Sequence, residues 1–145
     1  MSVSAINLEQ LGGHKAFGFA IRAHAALLVD GTADETASMI GWDTKAVIAL
    51  DGGEIIGIIT YDIIKWRGDL AVGVGYVIPQ HRGAGVYRLM WNDLVKEAKT
   101  AKCGRIYGAI KVGNTEMRAI AAKLGREEES INVIFRVPDT APTIA

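Results

Sequence analysis

The stretch Val77-Ile78-Pro79-Gln80-His81-Arg82-Gly83-Ala84-Gly85-Val86-Tyr87-Arg88 constrains the fold of this chain more than any other. An apolar strand runs through a glycine-containing turn directly into a helix. Such a junction aims several backbone N–H groups and a helix N-terminus at one point, an arrangement that suits a phosphate or pyrophosphate. The residues before it form a meander. Thr44 to Leu50 and Glu54 to Ile64 are β-branched runs around Asp51-Gly52-Gly53, a strong hairpin signal, and Lys65 to Asp69 turns the chain into a third strand, Leu70 to Ile78.

The remaining elements follow from periodicity. Val3 to Asn7 alternates as a short first strand. Leu8, Leu11, Phe17, Ala20, Ile21 and Ala25 recur at helical spacing up to Val29, although Gly12-Gly13 and Gly18 predict a break or two short helices. Thr32 to Met39 is a further short helix. Val86 to Ala101 places Leu89, Met90, Leu94 and Ala98 on one helical face, and Arg105 to Val112 is a strand. Thr115 to Leu124 is another amphipathic helix, ended by Gly125, and Ile131 to Val137 is a last strand closed by Pro138. The order β-α-α-β-β-β-α-β-α-β describes a mixed α/β domain, not an alternating doubly wound one.

The chain has 145 residues, half of them hydrophobic, which fits one domain over residues 1–145 with a tail from 138. Sixteen basic and sixteen acidic residues cancel, so the basic excess of a dedicated nucleic-acid binder is missing. The single Cys103 fits a reducing compartment. No stretch approaches the roughly 20 apolar residues of a membrane span, and no secretory signal is evident, so a soluble cytoplasmic protein is expected. His14 and His24 show no metal-ligand spacing, and no metal is expected.

Two phosphate-binding patterns fail on their own residues. A dinucleotide fingerprint needs a small residue at the sixth position of Gly83-Ala84-Gly85-Val86-Tyr87-Arg88, where Arg88 stands, and the Gly-Lys-Ser/Thr of a Walker A loop is absent. Val77-x-Pro79-x-x-Arg82-Gly83-x-Gly85 instead resembles the acetyl-CoA motif of the GNAT (Gcn5-related) N-acetyltransferases, Arg/Gln-x-x-Gly-x-Gly/Ala. The strand ending at Val112, then Asn114 and a helix closing on Lys123-Leu124-Gly125, is similar to that family's second conserved region.

The resemblance implies a mostly antiparallel central sheet flanked by helices, with acetyl-CoA as cosubstrate and an amine as acceptor. It implies that backbone amides of Arg82, Gly83, Ala84, Gly85, Val86, Tyr87 and Arg88 cradle the pyrophosphate. Gly75, Tyr76 and Val77 would then bind the pantetheine arm through their main chain, with Asn114 beside the cofactor. Four positions depart from the family pattern. Tyr87 replaces Gly or Ala, and the usual acid falls on Ala121. The usual base positions hold Gly73 and Ala109.

A thiol of pKa about 8.5 leaves as thiolate at neutral pH for roughly 2 kcal/mol, whereas a lysine-like amine, near about 10.4, has first to lose a proton. Asp69 acting through water and Tyr107 as acid are the candidate catalytic groups, with His81 a weaker one. Trp42, Trp66, Tyr61 and Arg67 are candidates for the acceptor side, Glu127-Glu128-Glu129 for a rim that attracts a cation, and Ile131 to Phe135 for the edge of a homodimer. The expected activity is N-acetyl transfer to a primary amine of a small molecule or protein. The alternative, motivated by Ala121, Ala109 and Gly73, is a non-catalytic module of the same shape that binds CoA or a protein.

Overall fold

The computed structural model describes residues 2–33 and 40–138. Its strands are β1 (Val3–Leu8), β2 (Lys45–Asp51), β3 (Glu54–Ile64), β4 (Asp69–Val77) and β5 (Arg105–Tyr107). The helices are α1 (Ala16–Val29), α2 (Val86–Thr100) and α3 (Thr115–Lys123), with a 3-10 turn at Pro79–His81. The five strands lie side by side in chain order. The first three pairings are antiparallel, and β4 pairs with β5 in parallel. This is the mixed, mostly antiparallel sheet expected.

Helices cover both faces. On one, Met90 and Leu94 of α2 are fully buried against Val47, Ile59 and Leu70. On the other, Ala16, Ala20 and Ala23 of α1 meet Ala46, Ile48, Ile58 and Val74. The small side chains of α1 let that helix approach the sheet closely. Both faces of β2 and β3 are therefore apolar, which is why their sequences read as continuous Ile and Val runs.

Three expectations are corrected. The helical reading of Leu8 to Val29 fails at its start. β1 continues to Leu8, and a Cβ on Gly12 would collide with the Trp42 ring, so this glycine is needed where the indole lies on the backbone. The helix begins at Ala16, whose N–H donates to His14 Nδ1 at 2.9 Å, and it runs unbroken through Gly18. The strand from Arg105 stops at Tyr107 instead of Val112, since the chain turns away from β4 there. Ile131 to Val137 forms no ladder with any described strand, and Ile131, Val133 and Phe135 are exposed. β5 offers only three residues of neighbouring edge, too few to template a seven-residue partner. The expected helix from Thr32 to Met39 falls largely on 34–39, outside the described residues. No described helix is long and apolar enough to cross a membrane.

The packing of α2 carries a direct consequence. Leu94→Ala is expected to cost about 2–5 kcal/mol, as a large cavity in a fully buried site does. Urea unfolding measures this, and a loss below about 1 kcal/mol would contradict the packing described.

Candidate active site

β4 has a neighbour along its whole length on the β3 side but only at Asp69, Leu70 and Ala71 on the β5 side. From Val72 to Val77 its second edge is open. A bulge begins the opening: Ile59 faces Gly75 and Tyr61 faces Val72, so Gly73 and Val74 together oppose Thr60. The Val74 N–H donates to Thr60 Oγ1 at 2.7 Å, and the Ile78 N–H to the Ile56 carbonyl at 2.9 Å. Both point toward β3. Alternation along the strand then turns the main chain of Gly75 and Val77 to the open edge and that of Tyr76 into the sheet. Tyr76 therefore meets the cleft through its ring and not, as the resemblance implied, through its backbone.

The open edge lines a cleft of about 560 Å³ bounded by the end of α1, the start of α2, Gly108 to Ile110 and α3. At its mouth lies the glycine turn. Gly83 and Gly85 have φ of +79° and +80°, a left-handed conformation that side chains disfavour, and no atom lies within 4 Å of a Cβ built on either. Gly85 precedes α2, and no side chain caps the helix. The first-turn N–H groups thus keep no intrahelical partner and face an unobstructed space.

The base of the turn is tied down. Arg82 Nε donates to the Val77 carbonyl at 2.8 Å, and its guanidinium lies 5.3 Å from the centre of the Tyr76 ring. His81 Nε2 is 3.2 Å from Asp51 Oδ2. Among the described residues four cations, Arg82, Arg88, Lys123 and Arg126, line the cleft with two carboxylates, Asp30 and Glu116. That balance suits an anionic ligand with many oxygens.

Arg82, Gly83, Gly85, Val86, Tyr87, Arg88, Gly75, Tyr76, Val77 and Asn114 all come together at the cleft. Ala84 sits exposed in the turn between the two glycines. Asn114 has a structural task there, its side chain accepting from the Met117 N–H at 3.1 Å as the N-cap of α3.

Asp69 and Tyr107 do not reach the cleft. Asp69 is 2 % exposed, held by Arg105 at 2.9 Å and Arg67 at 3.0 Å where β4 and β5 are still paired. The hydrogen bonds from Arg105, with Arg67 adding to them, hold its carboxyl below the ordinary 3.8, so it is a fixed anion with no capacity to take a proton near neutrality. The Tyr107 ring centre lies 5.6 Å from the Arg67 guanidinium and 5.7 Å from that of Arg105.

The other aromatic candidates also lie elsewhere. Trp66 is exposed and stacks on Arg67, and Trp42 covers Gly12 beside Phe17. The Tyr61 hydroxyl donates to Asn7 on the α2 face. In the acidic run, Glu128 pairs with Arg118 and Glu129 with Arg105. Among the described residues, Asp30, Glu116, Lys123 and Arg126 are the charged cleft residues that the sequence reading left without a site role. Asp30 looked like a helix stop and Glu116 like a dipole partner, and Arg126 carried no motif. Among the described residues no cluster of three or more potential metal ligands occurs.

The model of the acetyltransferase (GNAT) family matches residues 21–125. The chain belongs to the GNAT acetyltransferase family. Among solved structures it is similar to an aminoglycoside acetyltransferase from an uncultured soil metagenomic sample, at 18% identity and a TM-score of 0.70, covering 94% of this chain and 99% of that one. A ribosomal-protein-alanine N-acetyltransferase from Brucella melitensis biovar Abortus 2308 aligns at 16% identity and 0.67, covering 94% and 100%. The aminoglycoside N-acetyltransferase AAC(6')-Iy, solved in complex with CoA, aligns at 18% and 0.66, covering 95% and 97%. No curated protein matches by sequence. At these identities the structural likeness concerns the fold, which this GNAT chain shares over nearly its full length.

The Asp69 cluster of this GNAT domain sets an acid sensitivity. Its lowered folded value means that its stabilising contribution is complete above the ordinary 3.8 and is lost as pH falls through 3.8 toward the folded value. In urea unfolding from about pH 7 to about pH 3, Asp69→Asn is expected to be the less stable protein near neutrality. The difference from wild type should narrow only at the acid end. A difference that is unchanged at the acid end would contradict the pairing.

Proposed function

We propose that this protein transfers an acetyl group from acetyl-CoA to a primary amine of a small molecule or a protein, by direct attack within a ternary complex. The observation that carries the proposal is the continuity of donors. The open main chain of Gly75 and Val77 leads into the Gly83–Gly85 turn and the uncapped start of α2, with Arg82 and Arg88 beside it. A long ligand with a diphosphate at one end and an amide-bearing arm at the other fits that sequence of groups. The amides from Gly83 to Arg88 would hold the diphosphate, and Gly75 and Val77 the arm.

Acetyl-CoA would supply an activated thioester carbonyl. The Val77 N–H lies on the open edge, while its carbonyl is already engaged by Arg82, so it is available as a donor to an acyl or amide oxygen. An acceptor entering from the α1 side meets Asp30 at the end of that helix, and Glu116 faces the same space from α3. Both favour a cationic amine. With Ala121, Ala109 and Gly73 at the usual acid and base positions, an amine of low pKa, such as an α-amine near about 7.7 to 8.0, makes the smallest demand on the protein. The relatives named above act on aminoglycosides or on a ribosomal protein, two acceptor classes that belong in the first test.

The second reading, a domain that binds CoA without turnover, is favoured by the same three positions. Calorimetry with acetyl-CoA followed by thiol release over aminoglycosides and peptide α-amines separates the two. The proposal expects binding and amine-dependent thiol release, whereas binding without release selects the second reading. Gly85→Leu is expected to weaken acetyl-CoA at least tenfold, a loss of about 1.4 kcal/mol or more. The left-handed position itself costs about 1–2 kcal/mol of stability. Unchanged affinity in this variant would remove the cofactor assignment.

A further inference from the structure

Tyr87 stands where the family motif carries glycine or alanine, and its side chain turns inward beneath β4. A Cβ on Gly75 would lie 3.0 Å from Tyr87 Cε2 and 3.2 Å from its hydroxyl oxygen. A side chain at residue 75 would crowd the ring, which would have to give by a few tenths of an ångström. The Arg126 cation stands close enough to the phenol to oppose the effect of burial on it, and its guanidinium lies 4.8 Å from the ring centre of buried Trp91. The same guanidinium approaches Gly108, where a Cβ would stand 2.9 Å from Nη2. Gly108, Arg126, Tyr87 and Gly75 therefore span the fork between β5 and β4 from bank to bank. Both banks are glycine, which makes room for the two side chains on the floor.

The hydrogen bonding of this floor is incomplete in one respect. A guanidinium can only donate, so beside Arg126 the phenol keeps its own O–H proton to give. Among the described residues the Tyr87 hydroxyl donates to no side chain or carbonyl. Burial raises the phenol above its ordinary value, with Arg126 opposing, so it is a protonated donor at neutral pH. Tyr76, the other tyrosine at the cleft, is turned to the α1 side, its ring against Phe19 and Arg82.

We propose that Tyr87, backed by Arg126, is a catalytic residue whose hydroxyl donates a hydrogen bond to the thioester sulfur and stabilises the departing thiolate. This rests on the cofactor placement proposed above. The amine nitrogen attacks the carbonyl carbon, and the C–N bond forms as the C–S bond breaks. The bonding pair leaves on sulfur, and the amine proton passes to solvent. Tyr87 retains its proton throughout, and the released thiolate is protonated by water. The Arg126 cation strengthens the phenol as a donor.

The test needs no acceptor and uses CoA itself. The rate of alkylation of bound CoA by iodoacetamide, read as alkylated CoA by mass spectrometry across a pH series, reports the pH at which the bound thiol ionises. In the wild type this should lie about one pH unit below its value in Tyr87→Phe, while CoA affinity by calorimetry changes less than about threefold. Arg126→Gln should shift it the same way by less, and it carries the test if Tyr87→Phe does not fold. An equal thiol titration in wild type and variants overturns the inference. Loss of CoA binding in Tyr87→Phe also overturns it, by making the ring a binding wedge. Failure of the wild type to bind CoA defeats the cofactor reading and this inference together.

Discussion

The structure turns on a strand that is paired on both sides for three residues and on one side for the next six. β4 enters the sheet at Asp69 with β3 and β5 both in register, and from Val72 onward it keeps only β3. A strand edge of this kind exposes donors and acceptors that need partners, and in a folded domain such edges are covered or used. Here the edge is enclosed by α1, α2 and α3 as the wall of a cleft, so its hydrogen-bonding capacity faces the cleft.

Both ends of that opening are fixed by groups far apart in the chain. At the closed end, Arg67 and Arg105 share the buried Asp69 and pin β5 to β4 where the ladder is shortest. At the open end, Arg82 reaches back to the Val77 carbonyl and sets the glycine turn against the strand that leads into it. The bulge at Gly73 and Val74, secured by the Thr60 hydroxyl, allows β4 to stay on β3 while its other edge is released. The site is thus built from main-chain geometry first, and side-chain charge is added around it.

That division explains what could be read from the sequence. The glycine turn, the hairpin at Asp51-Gly52-Gly53 and helix α2 are local: each is set by a few neighbouring residues whose backbone demands are visible in their identity. Asp69 illustrates the opposite case. Its partner Arg105 lies 36 residues away, and nothing near Asp69 in the chain distinguishes a buried ion-paired anion from a catalytic one. Tyr87 could be recognised as a departure from the motif, but its inward direction goes with the space beside Gly75 and with the Arg126 cation, both distant in the chain. The last strand was expected from alternation at Ile131 to Val137, yet alternation reports only what a segment could pair with. The described fold gives it no ladder.

The central claim is that one line of main-chain donors, from Gly75 and Val77 through the turn to Arg88, receives the cofactor. Backbone amide NMR spectra recorded with increasing acetyl-CoA test it most directly. The account predicts shifted resonances at Gly75, Val77 and Gly83 to Arg88, with β1 and β2 nearly unmoved. Saturating acetyl-CoA that leaves the Gly83–Arg88 amides unperturbed, or that perturbs the α2 face of the sheet instead, would contradict it.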